Sequence, residues 1–345
     1  MFVKKDINLL PLLFYSGGQF LWLTLWFSGV AILYHFTLWE WMSMPWFPIA
    51  TVGTAVAFYV GFKNNQAYDR IWEARKIWGA IVNSSRAWAT SVRGFVGSPD
   101  DNLADHNSAT YKTHQKMIVR HIGWLYTLRK QLLAPTEWEH IKQGPLVRYT
   151  TKKRIKRHGL ELGSVNNPIV DYSSFFESSE FEKLQGFSNQ ATQILDQQAQ
   201  DMRALRGEGH IDDFQLMQLQ NLINEFYDHQ GKCERIKKFP LPRQYGAMSM
   251  VFIRIFIFLM PFGMAAQFHS MGPWAYWLMI PFGVIVAWVY LMMELVGDYS
   301  ENPFEGLGND IPMYALCRTI EIDLREMLGE DDIPAPFPSN RGILN

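Results

Sequence analysis

Four stretches of this chain carry almost no charge, and each is long enough to cross a hydrocarbon core. Phe20 to Trp39 has His35 as its only strongly polar member, and Pro45 to Phe62 has no charge at all. Met248 to Phe268 is apolar apart from Arg254, Gln267 and small polar groups, and Trp274 to Val296 carries one charge, Glu294, near its end. A helix rises 1.5 Å per residue, so about 20 apolar residues span roughly 30 Å of lipid tails. A mean hydropathy of -0.09 would suit a soluble protein, but that average mixes two kinds of segment. The patterning predicts an all-α membrane protein with four transmembrane helices. The first run is too long, and too far from the start, for a cleaved signal peptide.

Lys and Arg set the orientation. The connections "EWMSMP" and "HSMGP" contain neither, whereas Lys4 and Lys5 precede the first run and Lys63, Arg70, Arg75 and Lys76 follow the second. Both termini and the whole stretch 63–247 are therefore expected in the cytoplasm, with Trp39, Trp41, Trp46 and Trp274 as the outer aromatic belt. The expected organisation is 1–62 (N-terminal segment and transmembrane helices 1 and 2), 63–247 (cytosolic helical region), 248–296 (transmembrane helices 3 and 4) and 297–345 (cytosolic tail).

The cytosolic region has helical period. Ile71, Trp72, Ile77, Trp78, Ile81 and Val82 recur at helix spacing, and further helices are expected over Thr113–Leu133, Ser188–Arg206, Asp212–Gln230 and Tyr314–Leu328. Asp100 to Asn107 and the stretch from Leu146 to Pro168 read as loops. Within the latter, "KKRIKR" is the sort of run that binds nucleic acid or anionic lipid, or simply stays solvated beside a membrane. Pro261 and Pro281 lie in the repeated "PFG" and read as local kinks. Cys233 and Cys317 are far apart on the cytoplasmic side and imply neither a disulfide framework nor a zinc site. The chain lacks HExxH, CxxC, GxSxG, Walker and GxGxxG motifs, which disfavours an enzyme and suggests no cofactor, no metal and no nucleic-acid partner.

Thr54, Phe58 and Phe62 recur every four residues and fall on one stripe of the second helix. Two readings stay open. The stripe packs against another helix, or it faces an oligomer axis as stacked rings that gate by dewetting. Gly53, Ala55, Ala57 and Gly61 interleave it and permit close helix approach. Lys63 is expected to snorkel to the interface. Arg254 and Glu294, near the cytoplasmic ends of their spans, are expected to snorkel or to pair with each other.

"GFKNNQAYDRIWEARKIWG" (Gly61–Gly79), "CERIKKFPLP" (Cys233–Pro242), "ENPF" (Glu301–Phe304) and "NDIPMYALCRTIEIDL" (Asn309–Leu324) together resemble the bestrophin family, in its bacterial branch. The stretch 97–187 resembles it least and looks like inserted loops. The resemblance implies a homopentameric ion channel of the inner membrane, with membrane lipids and monovalent ions as its other partners. Anion conduction is the family default, and cation selectivity is known among bacterial members. Its three-ring neck falls on Thr54, Phe58 and Phe62, where Thr54 replaces the Ile usual in the first ring. Its cytosolic aperture falls on Met217 by counting back from "CERIKK". The calcium clasp of eukaryotic members needs an acidic cluster after "NPF", and Glu305-Gly306-Leu307-Gly308-Asn309-Asp310 supplies too few carboxylates for the roughly six oxygens calcium requires. Asp298, Glu301 and Asn302 then read as structural caps. A membrane-anchored scaffold that binds a partner is the alternative, and a secondary transporter has only the two "PFG" sites in its favour.

Overall fold

A computed structural model of the chain describes residues 1, 17–97, 106, 108–157, 170–339 and 342–344. Among them every extended element is a helix: α1 (Gly17–Thr37), α2 (Trp46–Phe95), α3 (Ala109–Leu132), α4 (Pro145–Arg157), α5 (Ser178–Gln185), α6 (Gln190–Gly207), α7 (Asp213–Lys238), α8 (Arg243–His269), α9 (Met279–Asp298) and α10 (Met313–Leu328). The residues fall into two compact units. One comprises residues 4–70 and 240–302, and the other residues 1–3, 71–239 and 303–345, so α2 contributes to both.

The first unit is built from α1, the start of α2, α8 and α9. Three helical segments are long and apolar enough to cross a membrane: Gly18–Thr37, Arg243–His269 and Pro273–Asp298. The expected fourth span, 45–62, opens the 50-residue α2 and is not one of them. Its threonines, glycines and Tyr59 dilute the apolar content. Packing in this unit is close because glycines meet rings. A Cβ on Gly283 would lie 2.0 Å from the Phe27 ring, and one on Gly53 would lie 2.6 Å from the Phe256 ring. Tyr290 also donates its hydroxyl to the Gly53 carbonyl at 3.0 Å. Pro261 sits inside α8, which runs through it. Pro281 is the third residue of α9, not a kink in mid-span: a turn at Pro273–Tyr276 precedes it, and an N–H would have no helical partner there anyway.

The second unit buries one apolar core around Trp78, Trp88, Trp124 and Phe226, drawn from α2, α3 and α7, with α6 and α10 closing it. Local signals set the helix starts. Asp212 and Gln215 form a reciprocal capping box before α7, Asn189 caps α6, and Ser108 caps α3. Two helices correct the loop expectation: residues 145–157 form α4, and 178–185 form α5 inside the stretch expected to be loops. Lys4, Lys5 and the expected loop at 100–107, apart from His106, lie outside the described residues, as do residues 158–168 of the second expected loop.

Candidate functional site

On α2 the two faces differ sharply. Gly53, Val56, Val60, Lys63 and Ala67 are buried, while Thr54, Phe58 and Phe62 are exposed, the two phenylalanines at 66% and 60%. A large aromatic left that open normally marks a surface that something else covers. Within one chain, then, the stripe is not core. The Thr54 hydroxyl donates to the Ala50 carbonyl at 3.0 Å, so this polar group is spent on its own helix. Gly53 gives the close approach expected of it, whereas around Gly61 the same chain leaves open space.

Directly beside Phe62 lies a polar knot. Lys63 does not snorkel. It is 1% exposed, and its Nζ sits 2.5 Å from Glu294 Oε1 and 3.9 Å from Glu301 Oε2. Ser249 donates to the same Glu294 oxygen at 2.7 Å, while Glu294 Oε2 is buried with no hydrogen-bond partner. Asn64 donates to the Met293 carbonyl at 2.9 Å, and a Cβ on Gly297 would fall 1.9 Å from the Asn64 side-chain oxygen. Glu301 is held further by Arg243 at 3.5 Å, and its carbonyl accepts from Arg70 Nε at 2.9 Å. The partner of Glu294 is therefore Lys63 and not Arg254, which is exposed. Buried charges are tolerated only when paired and hydrogen-bonded, and the geometry of such a pair is demanding. Successive helix residues differ by about 100°. Pinning Lys63 inward consequently fixes Phe62 outward.

A second polar knot organises the loop after α9. Phe304 is buried and adopts a left-handed backbone, φ 69°, which costs a non-glycine residue about 1–2 kcal/mol. Its N–H donates to Asp310 Oδ1 at 3.0 Å, and its carbonyl accepts from Lys237 Nζ at 3.1 Å. Asp310 also accepts from the Gly306 and Ile311 amides, both at 2.7 Å. Burial raises the Asp310 carboxyl above the usual range, and these amides oppose the shift. Lys237 pairs with Glu139, whose carboxyl burial also raises while the lysine opposes it. Glu305 accepts from the His140 backbone N–H at 2.6 Å and contacts His140 Nδ1 at 2.8 Å. Both carboxylates after "NPF" thus hold the loop's own groups. Among the described residues, no cluster of three or more His, Cys, Asp or Glu is placed to hold a metal ion.

Met217 lies on α7 at 62% exposure, on a face that also exposes Phe214, Asn221 and Glu225, so it is not core of its own unit. Cys233 and Cys317 are buried free thiols; burial raises both, Cys317 to about 12. Ser84 donates to Glu225 Oε2 at 2.9 Å with His229 Nε2 3.2 Å away, an arrangement that turns the hydroxyl proton toward the carboxylate instead of the imidazole. A nucleophilic serine needs the opposite. Sequence reasoning missed both knots. The only hint of the first was one lysine and one glutamate, each alone at the end of an apolar run.

The chain as a whole has counterparts. The chain is 25% identical over 309 residues to the voltage-dependent anion channel-forming protein YneE of Escherichia coli (strain K12), covering 86% of this chain and 85% of that one. A voltage-dependent anion channel-forming protein of Mesorhizobium japonicum is 26% identical over 283 residues, covering 82% and 75%. The fold matches the crystal structure of a bacterial bestrophin homolog from Klebsiella pneumoniae with a TM-score of 0.72 at 20% identity, covering 91% of this chain and 98% of that one. The model of the bacterial and fungal bestrophin proteins matches residues 19–326, a span that takes in the α2 stripe and both knots. The chain belongs to the bestrophin family.

Proposed function

We propose that this chain is one subunit of a pore-forming channel of the bacterial inner membrane that passes small monovalent ions passively. Five copies surround one axis, and Thr54, Phe58 and Phe62 of each line a hydrophobic neck. The observation that carries this reading is the exposure of Phe58 and Phe62 on the face opposite the buried one of α2. Rings of such side chains narrow a pore and shed water, which halts hydrated ions until the neck widens. Residues 45–62 serve as the fourth span, beside the three apolar helices, and both termini lie in the cytoplasm. Trp39, Trp41, Trp46 and Trp274 are exposed, as an aromatic belt at the outer interface requires. The segments 1–62, 63–247, 248–296 and 297–345 act as two pairs of spans and two cytosolic parts. Met217 forms a second, cytosolic constriction. Anions are the permeant class in the names of the relatives, and we carry that class over to this chain as the default. No catalytic step is assigned.

Mass measurement on detergent-purified protein should give five copies, and a stable monomer would end the pore reading. Currents in a planar bilayer separate the channel from a membrane-anchored scaffold, which conducts nothing. Phe58→Ala and Phe62→Ala should leave a wider, wetter passage and larger or more persistent current, with melting little changed. If the stripe instead packs in a protein interface, each truncation should cost about 3–5 kcal/mol, and current should fall with stability. Thr54→Ala removes little bulk and is the control.

A further inference from the structure

Helix α4 is the most one-sided charged surface among the described residues. Its thirteen residues contain six Lys or Arg and no Asp or Glu, in a chain whose net charge is -1. Thr151 is fully buried and marks the inner side of the helix. Tyr149, Lys152, Lys153 and Lys156 are all exposed and stand at i, i+3, i+4 and i+7, which places them on one face. None of these three lysines meets a carboxylate among the described residues. Several exposed basic groups elsewhere are answered locally: Arg206 with Asp213, Lys232 with Asp228 and Arg235 with Glu73. The three on α4 are not.

From this face we infer a docking surface for anionic phospholipid headgroups. The inference rests on the membrane placement proposed above. A lysine ammonium is a point charge that suits a phosphate, and clustered lysines gain from a negatively charged leaflet additively. Tyr149, at the head of the same face, has the apolar ring and polar tip that favour the interfacial layer. Contacts within its own unit tie this helix to the loop that follows a span in sequence. α4 packs against the turn His140–Lys142, His140 is bonded to Glu305, and Glu305 follows Asp298, the last residue of α9, by seven positions. A nucleic acid would want the same charges, but nothing else on this face would read one: the exposed aromatic is single, and stacking platforms use several.

The full-length protein supplies the test. Cys233 and Cys317 are buried, so Tyr149→Cys takes a fluorescent label selectively. The labelled protein is placed in nanodiscs of phosphatidylcholine, with or without phosphatidylglycerol, doped with a headgroup spin-labelled lipid. Protease protection of the spans is read first. Phosphatidylglycerol should raise quenching severalfold, and high salt should reverse it. Lys152→Gln, Lys153→Gln and Lys156→Gln combined should abolish the difference, since three lysines are worth roughly 100-fold in attraction to an anionic surface. Equal quenching in both lipids, or a response unaltered in the triple variant, overturns the docking surface while leaving the channel reading intact. A label that responds to added short DNA and not to phosphatidylglycerol overturns it in favour of nucleic acid. A chain that fails to insert overturns both readings together.

Discussion

Removing one partner of the Lys63–Glu294 pair should cost far more than removing both. The two atoms are 2.5 Å apart, and the side chains are 1% and 2% exposed. At an effective dielectric of about 20, charges at that separation attract by about 7 kcal/mol before any desolvation is counted. Desolvation takes back several kcal/mol per ion, so the net worth of the pair is small. Lys63→Met strips the one cation that, among the described residues, lies within bonding distance of Glu294 and leaves a buried carboxylate with the Ser249 hydroxyl and an oxygen already unpartnered. The expected cost is about 3–5 kcal/mol, and Glu294→Met should cost somewhat less, since the ammonium keeps Glu301 at 3.9 Å. The double variant, two methionines in a packed site, should fall within about 1–2 kcal/mol of wild type, giving a coupling energy of about 3 kcal/mol or more. Heat unfolds a membrane protein irreversibly, so the assay is a double-mutant cycle on inactivation rates in detergent at fixed temperature. The double variant must still assemble. Additive single effects would refute the argument and demote Lys63 to a spectator.

Four further outcomes follow from the same contacts. His121 is fully buried, which lowers its imidazole from 6.5 to about 3, and it stays neutral in the fold. The unfolded chain takes up a proton below pH 6.5 that the native one refuses, so stability should fall by about 2 kcal/mol between pH 7 and pH 5; His121→Gln should flatten that slope, and an unchanged slope would acquit this residue. Asp310 pins a left-handed Phe304 through three amides, so Asp310→Ala should destabilise by about 2–4 kcal/mol without creating or removing a calcium response. Wild-type conductance should be equal in chelator and in micromolar calcium, and activation abolished by Asp310→Ala would reverse that assignment. Asp69 is exposed seven residues beyond Phe62 on the same face of α2, about 10 Å along the helix. Asp69→Asn should shift the reversal potential in asymmetric salt toward that of the anion, and an unmoved potential would take Asp69 off the ion path.

What could be read from the sequence was what is local. Ile77, Trp78 and Ile81 announce a helix because their spacing needs no knowledge of a partner, and the helix expected from Asp212 starts within one residue of that position. The missed helices show the converse. α4 has no apolar period, since basic residues hold its outer face and Thr151 is the one fully buried residue among its described side chains, so nothing in "KKRIKR" distinguishes a helix from a solvated loop. The failure at Lys63 has another cause. A lysine ending an apolar run either snorkels or pairs, and the choice depends on a glutamate 231 positions away. The same distance concealed the loop after α9, where Glu305 meets His140 from 165 positions earlier. Exposure of Phe58 and Phe62 lies between these cases: the four-residue spacing defines the stripe, but only the packed unit shows that its own chain leaves it bare.

That one helix serves two surroundings has a simple basis in its repeat. Gly53, Val60, Ala67, Ala74, Ile81 and Trp88 are all buried and recur every seven residues, and Val56, Lys63, Ile77 and Ser84 hold a second buried line with the same period, interrupted by the half-buried Arg70. Seven residues fall about 20° short of two full turns, so over the five intervals from Gly53 to Trp88 the buried line drifts by about 100° around the axis. The size of the buried residue changes along it, from glycine and valine to alanine and then to isoleucine and tryptophan, while the line turns only gradually. The opposite line is therefore free to change chemistry without disturbing the core. It carries Thr54, Phe58 and Phe62, then Asp69, Trp72 and Lys76. Apolar contacts alone would fix that phase weakly, because one methyl replaces another at little cost under a small rotation. A buried ion pair does not permit this, since rotating Lys63 away from Glu294 strands both charges. The single charged member of a mostly apolar buried face is thus the element that sets which residues of α2 look outward.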